Sequence, residues 1–299
     1  VTRALEENTA PVLLQGGWQD RFPDPMIEQY TRLRRRGVEV GLTIGPWSHL
    51  EFSYRAAGQI AAESLSWLAV HLTGSSQEQR AAAVRIGVTG SDEWLDLPDW
   101  PPPAEEEVWY PQPDGGLGAR PSGTGGRSSF TYDPADPTPA VGGRVLPPTP
   151  SGARDNRRLE GRADVLVFTT PPLSADRLVI GNPVVELVHH TDNPYADVFV
   201  RLCDVEPSGR SSNVSDGFRR LHPASADGGV AIRMEALAHR FQSGHRIRLQ
   251  ISGGAHPRYA RHLGTAEDPA TGTRLAPSRR SIEHGADGAT RLVLPTRPR

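Results

Sequence analysis

Two side chains in the first fifty residues are placed for proton-transfer chemistry. Asp20 closes the segment Gly16-Gly17-Trp18-Gln19-Asp20, and His49 closes Gly45-Pro46-Trp47-Ser48-His49. A carboxylate that accepts the imidazole Nδ1–H fixes the histidine tautomer. It also stabilises the imidazolium formed when the ring takes a proton, which is how acid and base work together in a Ser–His–Asp triad. In α/β-hydrolases the triad follows the chain order Ser, acid, His, and Asp20 before His49 obeys the last two terms. The plainer alternative is an Asx turn or helix cap at the aspartate and polar surface at the histidine. The nucleophile has no candidate. The sequence contains no Gly-x-Ser-x-Gly elbow, and residues 1–19 hold no serine. Ser91, in Gly90-Ser91-Asp92, has glycine on one side and follows the histidine. An acid and a base without a nucleophile form no acyl-enzyme, so the chain by itself is expected to be inactive.

The elements that must carry this pair alternate. Val12-Leu13-Leu14 runs into Gly16-Gly17, as a buried strand entering a tight loop does. Pro25 opens a helix whose inner face is Ile27, Tyr30 and Leu33, and Gly37 ends it. Val38 to Ile44 alternates as a second strand, and Gly45-Pro46 is expected to stop it. A second helix is predicted from about Arg55 to His71, with Ile60, Ser64, Trp67, Leu68 and Leu72 on one face, ended by Gly74. Short strand–helix–strand spacing implies parallel pairing. Asp20 and His49 then sit past the C-terminal edge of neighbouring strands, where open α/β sheets place their sites.

From about residue 82 the helical period disappears. Val84–Val88, Glu107–Tyr110, Asp164–Thr169, Leu178–Val188, Asp197–Val205, Val230–Met234, Arg246–Ser252 and Arg291–Leu294 read as about eight short strands. Turn clusters separate them, which predicts a β-sandwich or jelly roll. Pro111–Arg154 reads as a long loop with a hairpin near Phe130-Thr131-Tyr132, and the junction is expected at Ser75–Gln79. Trp94 and Trp100, among prolines, suit either an aromatic wall by the site or a plug packed between the sandwich and the α/β layer.

Composition excludes other classes. The net charge is −2, and all 33 cationic side chains are arginine, so no basic field is present to hold nucleic acid or an anionic membrane. No apolar run reaches the ~18–20 residues needed to cross a bilayer, and no signal peptide opens the chain. A weak leaning to the cytoplasm follows, with the natural N-terminus expected to lie upstream. Cys203 is the single cysteine and reads as a buried, inert thiol. No metal and no cofactor is expected. His189-His190 are adjacent on a strand and point to opposite faces, and Asp155, Asp192 and Asp197 match no calcium-loop spacing. Asn213-Val214-Ser215 is a chance-level glycosylation match.

Seven segments in order resemble the cocaine esterase/X-prolyl dipeptidyl-peptidase (CocE/NonD) family of serine hydrolases, over nearly the whole chain. The first are Gly17-Trp18-Gln19-Asp20-Arg21-Phe22, Gly45-Pro46-Trp47-Ser48-His49 and Glu63–Gly74. Arg162–Phe168, Ala196–Leu202, Gly244–Leu249 and Pro257-Arg258-Tyr259 extend the likeness into the family's C-terminal domain. The resemblance implies the C-terminal portion of an α/β-hydrolase domain over 1–76, followed by an all-β jelly-roll sandwich over 77–299. It matches Asp20 to the triad acid and His49 to the base, and puts Phe22, with Trp18 and Trp47, at the substrate pocket. It implies a small-molecule ester or amide, or a short peptide with an N-terminal Xaa-Pro, as substrate, with homo-oligomerisation compatible. Gln19 stands where an aromatic is common, and His262 where Asn is expected. The rival reading is a non-catalytic jelly-roll module that binds carbohydrate or braces its neighbour.

Overall fold

The computed structural model describes residues 2–75, 80–146, 149–285 and 290–297. The chain divides into two compact units. Unit one comprises Val1–Pro103, Arg144–Gly152 and Ala238–Arg240; unit two comprises Ala104–Gly143, Ala153–Leu237 and Phe241–Arg299. The predicted junction at Ser75–Gln79 falls, Ser75 apart, outside the described residues.

Unit one contains, in order, α1 (Thr2–Glu7), β1 (Val12–Gln19), α2 (Pro23–Arg35), β2 (Val40–Ser48), α3 (His49–Tyr54), α4 (Ala57–Leu68), a π turn (Ala69–Thr73), β3 (Val84–Gly87) and β4 (Trp94–Leu97). β1, β2 and β3 are parallel neighbours, and β4 closes the sheet antiparallel to β3. Nearly every residue of β2 is buried, as a parallel strand covered on both faces requires. α2 buries Met26, Ile27, Tyr30 and Leu33, the spacing of one helical face.

Three expectations change here. β2 does not stop at Gly45-Pro46 but runs on to Ser48. Pro46, which has no N–H to give a ladder, is exposed where the register slips between Gly17↔Gly45 and Gln19↔Ser48. The predicted helix over 55–71 is two helices and a π turn. Ile60, Ser64 and Trp67 are half-buried, but Leu68 and Leu72 are 48% and 76% exposed. They join Leu65 in a separate stripe, and the i→i+5 turn after Leu68 breaks the phase that would have continued the inner face. Finally, β3 and β4 are not part of the sandwich. Val84 and Ile86 are fully buried, and β3 pairs with β2 through Leu42↔Val84. A four-residue apolar run carries no signal for which sheet it joins.

Unit two contains β5 (Glu105–Pro111), β6 (Leu117–Gly118), β7 (Gly126–Tyr132), α5 (Arg157–Glu160), β8 (Val165–Thr169), β9 (Arg177–Gly181), β10 (Val184–Thr191), β11 (Asp197–Val205) and β12 (Ser211–Arg220). β13 (Gly228–Arg233), β14 (Leu237–Phe241), β15 (Arg246–Ser252), β16 (Ser278–His284) and β17 (Arg291–Arg297) follow, the middle of β14, Ala238–Arg240, counting with unit one. Among the described residues, one sheet of four strands is ordered β12-β11-β15-β8. The other, of nine, is built on the path β14-β9-β17-β10-β16-β7. One apolar core takes Val198, Val200, Leu202, Ile247 and Leu249 from the small sheet and Val185, Leu187, Ile282, Leu292 and Leu294 from the large one. That is a two-sheet sandwich.

β11 and β15 match their predicted ranges. The single run predicted over 178–188 is two strands, broken at Asn182-Pro183. Residues 130–132 form no local hairpin; β7 pairs with β16 across the sequence. Inside the small sheet, Arg201 forks onto Asp216 at 2.6 and 2.9 Å, and Arg258 bonds the same carboxylate and Glu235.

Candidate active site

Asp20 follows β1 and His49 follows β2, so parallel pairing of those strands brings their ends side by side. The backbone turns tightly after Gly17, whose carbonyl accepts the Asp20 N–H at 3.0 Å. Asp20 is buried. Its Oδ1 accepts the Arg21 N–H at 2.6 Å, and its Oδ2 lies 3.0 Å from His49 Nδ1. With the carboxylate as acceptor, Nδ1 carries the proton, and in the neutral ring Nε2 keeps a lone pair. The His49 side chain is 45% exposed against 9% for Asp20. The acid is therefore sheltered and the base accessible.

His49 is held by the helix it opens. The Ser48 N–H and hydroxyl both donate to Glu51 Oε2, at 3.0 and 2.9 Å, and Arg55 donates to Glu51 Oε1 at 2.7 Å. A carboxylate reaching back to the N-cap N–H is half of a capping box. Burial alone would raise the Glu51 carboxyl. The hydrogen bonds from the Ser48 backbone, Arg55 and the Ser48 hydroxyl outweigh that and hold it below its ordinary value.

The three aromatics predicted for the pocket separate. Phe22 is 53% exposed, and its ring meets the His49 ring edge-on at 6.1 Å. Trp18 and Trp47 are buried. Trp18 donates its indole N–H to the Gly87 carbonyl at 2.7 Å and packs on Trp100 at 5.6 Å. Trp47 packs on Trp94 at 5.6 Å and Phe52 at 6.2 Å. Trp100, buried, and Trp94, half-buried, thus pack on the buried tryptophans of unit one. A residue that sequence reading passed over is Arg144, inside the predicted loop 111–154. Its Nε donates to the Trp18 carbonyl at 2.8 Å and its Nη1 to Asp24 at 2.6 Å. No local motif announces it.

A cavity of about 470 Å³, lined by Glu39, Glu63, Trp67, His71 and Arg80 among others, opens at the far end of β2 from His49. It does not include the pair. Other candidates resolve into structure. His189 is buried against the Ala226 carbonyl, while His190 on the opposite face bonds Asp227 and Glu283. Asp192 accepts the Arg279 N–H, Asp197 pairs with Arg220, and Asp155 pairs with Arg157. Cys203 is fully buried, and burial pushes its thiol well up. Asn213 is buried, with its amide oxygen on the Arg154 N–H. Among the described residues no helix is long and apolar enough to cross a membrane.

The chain thus carries a two-sheet β unit and a parallel strand–helix unit that bears a carboxylate–imidazole pair. Residues 75–293 match the family model described as the X-Pro dipeptidyl-peptidase C-terminal non-catalytic domain, and residues 1–51 match that of the X-Pro dipeptidyl-peptidase S15 family. The chain belongs to this family of X-Pro dipeptidyl-peptidase and CocE/NonD hydrolases. It is 30% identical to the cocaine esterase of Rhodococcus sp. (strain MB1 Bresler), over 95% of this chain and 56% of that protein. Among solved structures it superposes on an α-amino acid ester hydrolase with a TM-score of 0.86 at 22% identity, covering 99% of this chain and 57% of that one. It also superposes on an aminopeptidase from a marine sediment Thaumarchaeota archaeon with a TM-score of 0.78 at 24% identity, covering 96% and 55%. Those two likenesses speak for the fold. The chain spans about half the length of the curated relatives it matches.

Proposed function

We propose that residues 1–299 supply the acid and base of a Ser–His–Asp hydrolase that cleaves esters or amides through an acyl-enzyme. The observation that carries this is the 3.0 Å contact between Asp20 Oδ2 and the Nδ1 of an accessible His49, at the ends of adjacent parallel strands. In this reading the strands and helices of unit one belong to an α/β-hydrolase domain, and the two-sheet sandwich to a jelly-roll domain. His49 Nε2 takes the proton of a serine hydroxyl as it attacks the carbonyl and returns it to the leaving group, while Asp20 holds the imidazolium between the two steps. The serine and its oxyanion donors come from sequence beyond these residues, since no Gly-x-Ser-x-Gly segment occurs within them. Phe22 lines the acyl or leaving-group side.

The test compares this chain with a longer reading frame that contains it and a serine elbow, assayed on a p-nitrophenyl ester and on an Xaa-Pro anilide. The longer protein is expected to turn over at least one of them, with Asp20→Asn lowering kcat on the order of 10⁴-fold. The 299-residue chain is expected to give no burst of p-nitrophenolate. An Asp20→Asn enzyme keeping most of its activity would remove the triad role and return the pair to a structural one.

A further inference from the structure

Arg144 reaches unit one from far along the chain. Ala104–Gly143 belongs to unit two, and Arg144 opens the segment Arg144–Gly152 that returns to unit one. Gly142 and Gly143 precede it with φ of 62° and 85°, left-handed values suited to glycine. The Arg144 side chain is buried, and its guanidinium bridges two groups. Nε donates to the Trp18 carbonyl at 2.8 Å, and Nη1 donates to Asp24 Oδ2 at 2.6 Å.

Those two groups flank Asp20. Trp18 stands where the β1–β2 register slips, opposite a stretch of β2 in which Pro46 offers no N–H. Asp24 lies in the first turn of α2. One planar cation therefore ties the end of the strand to the start of the helix, and the short loop carrying the carboxylate is slung between the two anchors. A guanidinium suits this because its donors have fixed relative directions, so holding both partners also sets the angle between them.

We infer that Arg144 is a positioning residue: by clamping Trp18 and Asp24 it sets the Asp20 carboxylate against His49 Nδ1. This rests on the reading of Asp20 and His49 as acid and base. Its bonds to the Trp18 carbonyl and to Asp24 act on Asp20 through the loop between them. Misplacement by about 1 Å in such a pair costs on the order of 10²-fold in rate. If the guanidinium served merely to satisfy a buried carbonyl, its loss would lower stability and leave the Asp20–His49 bond as it was.

The experiment follows the His49 Nδ1 proton by ¹⁵N-resolved NMR in the 299-residue chain, together with amide protection in β2. In Arg144→Gln, exchange of that proton is expected to quicken at least about tenfold while protection of Val40–Ile44 holds. Exchange within about twofold of the parent in a folded variant overturns the inference. Should Arg144→Gln not fold, Arg144→Lys is read in its place. The ammonium cannot make both bonds in the same directions, so at least about threefold faster exchange supports the inference and no change overturns it. Asp20→Asn is the control. If it leaves the His49 ring signals as they are, the acid–base pairing fails. If it alters them and the Arg144 variants do not, the pairing stands and the inference alone fails.

Discussion

His49 owes its place to a carboxylate on each side. Asp20 bonds the ring, and Glu51 bonds the residue before it through two hydrogen bonds from Ser48. Glu51→Ala leaves the Ser48 N–H without its acceptor. It is expected to cost about 1 kcal/mol, the usual worth of a cap, measured as a shift in the urea midpoint of unit one. At this scale the sequence was partly legible. Asp and His each follow a strand and a Gly-Trp or Pro-Trp segment, and that position brought them together. The tryptophans in the same segments were not legible, because an indole beside a catalytic group and an indole in a core look alike in sequence. Trp18 and Trp47 turned inward, while Phe22 remained at the surface. Arg144 was illegible for another reason: its partners are more than a hundred residues away, and nothing around it repeats or alternates.

Between β1 and β2 the decisive feature is closeness. A Cβ on Gly17 would stand 2.1 Å from the Trp47 carbonyl oxygen, and one on Gly45 would stand 2.5 Å from the Trp47 ring. The first obstacle is backbone and cannot swing away. Gly17→Ala is therefore expected to push the strands apart where they carry Asp20 and His49, at about 1–3 kcal/mol. Denaturation should register that loss, along with a weakened His49 Nδ1 signal. α2 was readable because Ile27, Tyr30 and Leu33 recur at helical spacing. β11 was readable from the apolar run that opens with Val198-Phe199-Val200, and β15 from the alternation of Ile247, Leu249 and Ile251 with polar residues. β12 and β16, rich in Ser and Arg, were missed: they pair by backbone and carry few of the side chains that betray a strand. β3 was recognised as a strand but given to the wrong sheet, since pairing partners leave no local trace.

Across the whole molecule, charge and exposure are unevenly shared. Burial holds His189, His262 and His284, all in the β unit, below the ordinary histidine pKa. As pH falls through about 6.5, the unfolded chain takes up these protons first. Their contribution is therefore complete above that pH and is lost below it, and guanidinium midpoints should drop between about pH 7.5 and about pH 5.5. His189→Gln should flatten that slope. Further down, burial alone would raise the Asp216 carboxyl, but Arg201 and Arg258 hold it below the usual range. Its contribution is present above about pH 4 and lost as the pH falls through the lower folded value. Asp216→Asn, which strands two buried guanidinium groups, should cost about 3–5 kcal/mol at neutral pH. In unit one, by contrast, Phe22, Leu50, Tyr54, Leu65, Leu68 and Leu72 are exposed, and the outer edge of β1 has no strand beside it among the described residues. Amide exchange is expected to be faster over residues 11–50 than in the β unit; slower exchange there would contradict this. The interleaving of the two units also bears on how such a chain can be rearranged. Because Arg144–Gly152 and Ala238–Arg240 belong with the first hundred residues, no single cut or crossover yields two intact halves. A single cut within Ala104–Gly143 carries off the clamp on Trp18, so grafting this β unit onto another hydrolase would also have to bring along a matching loop after its acid-bearing strand.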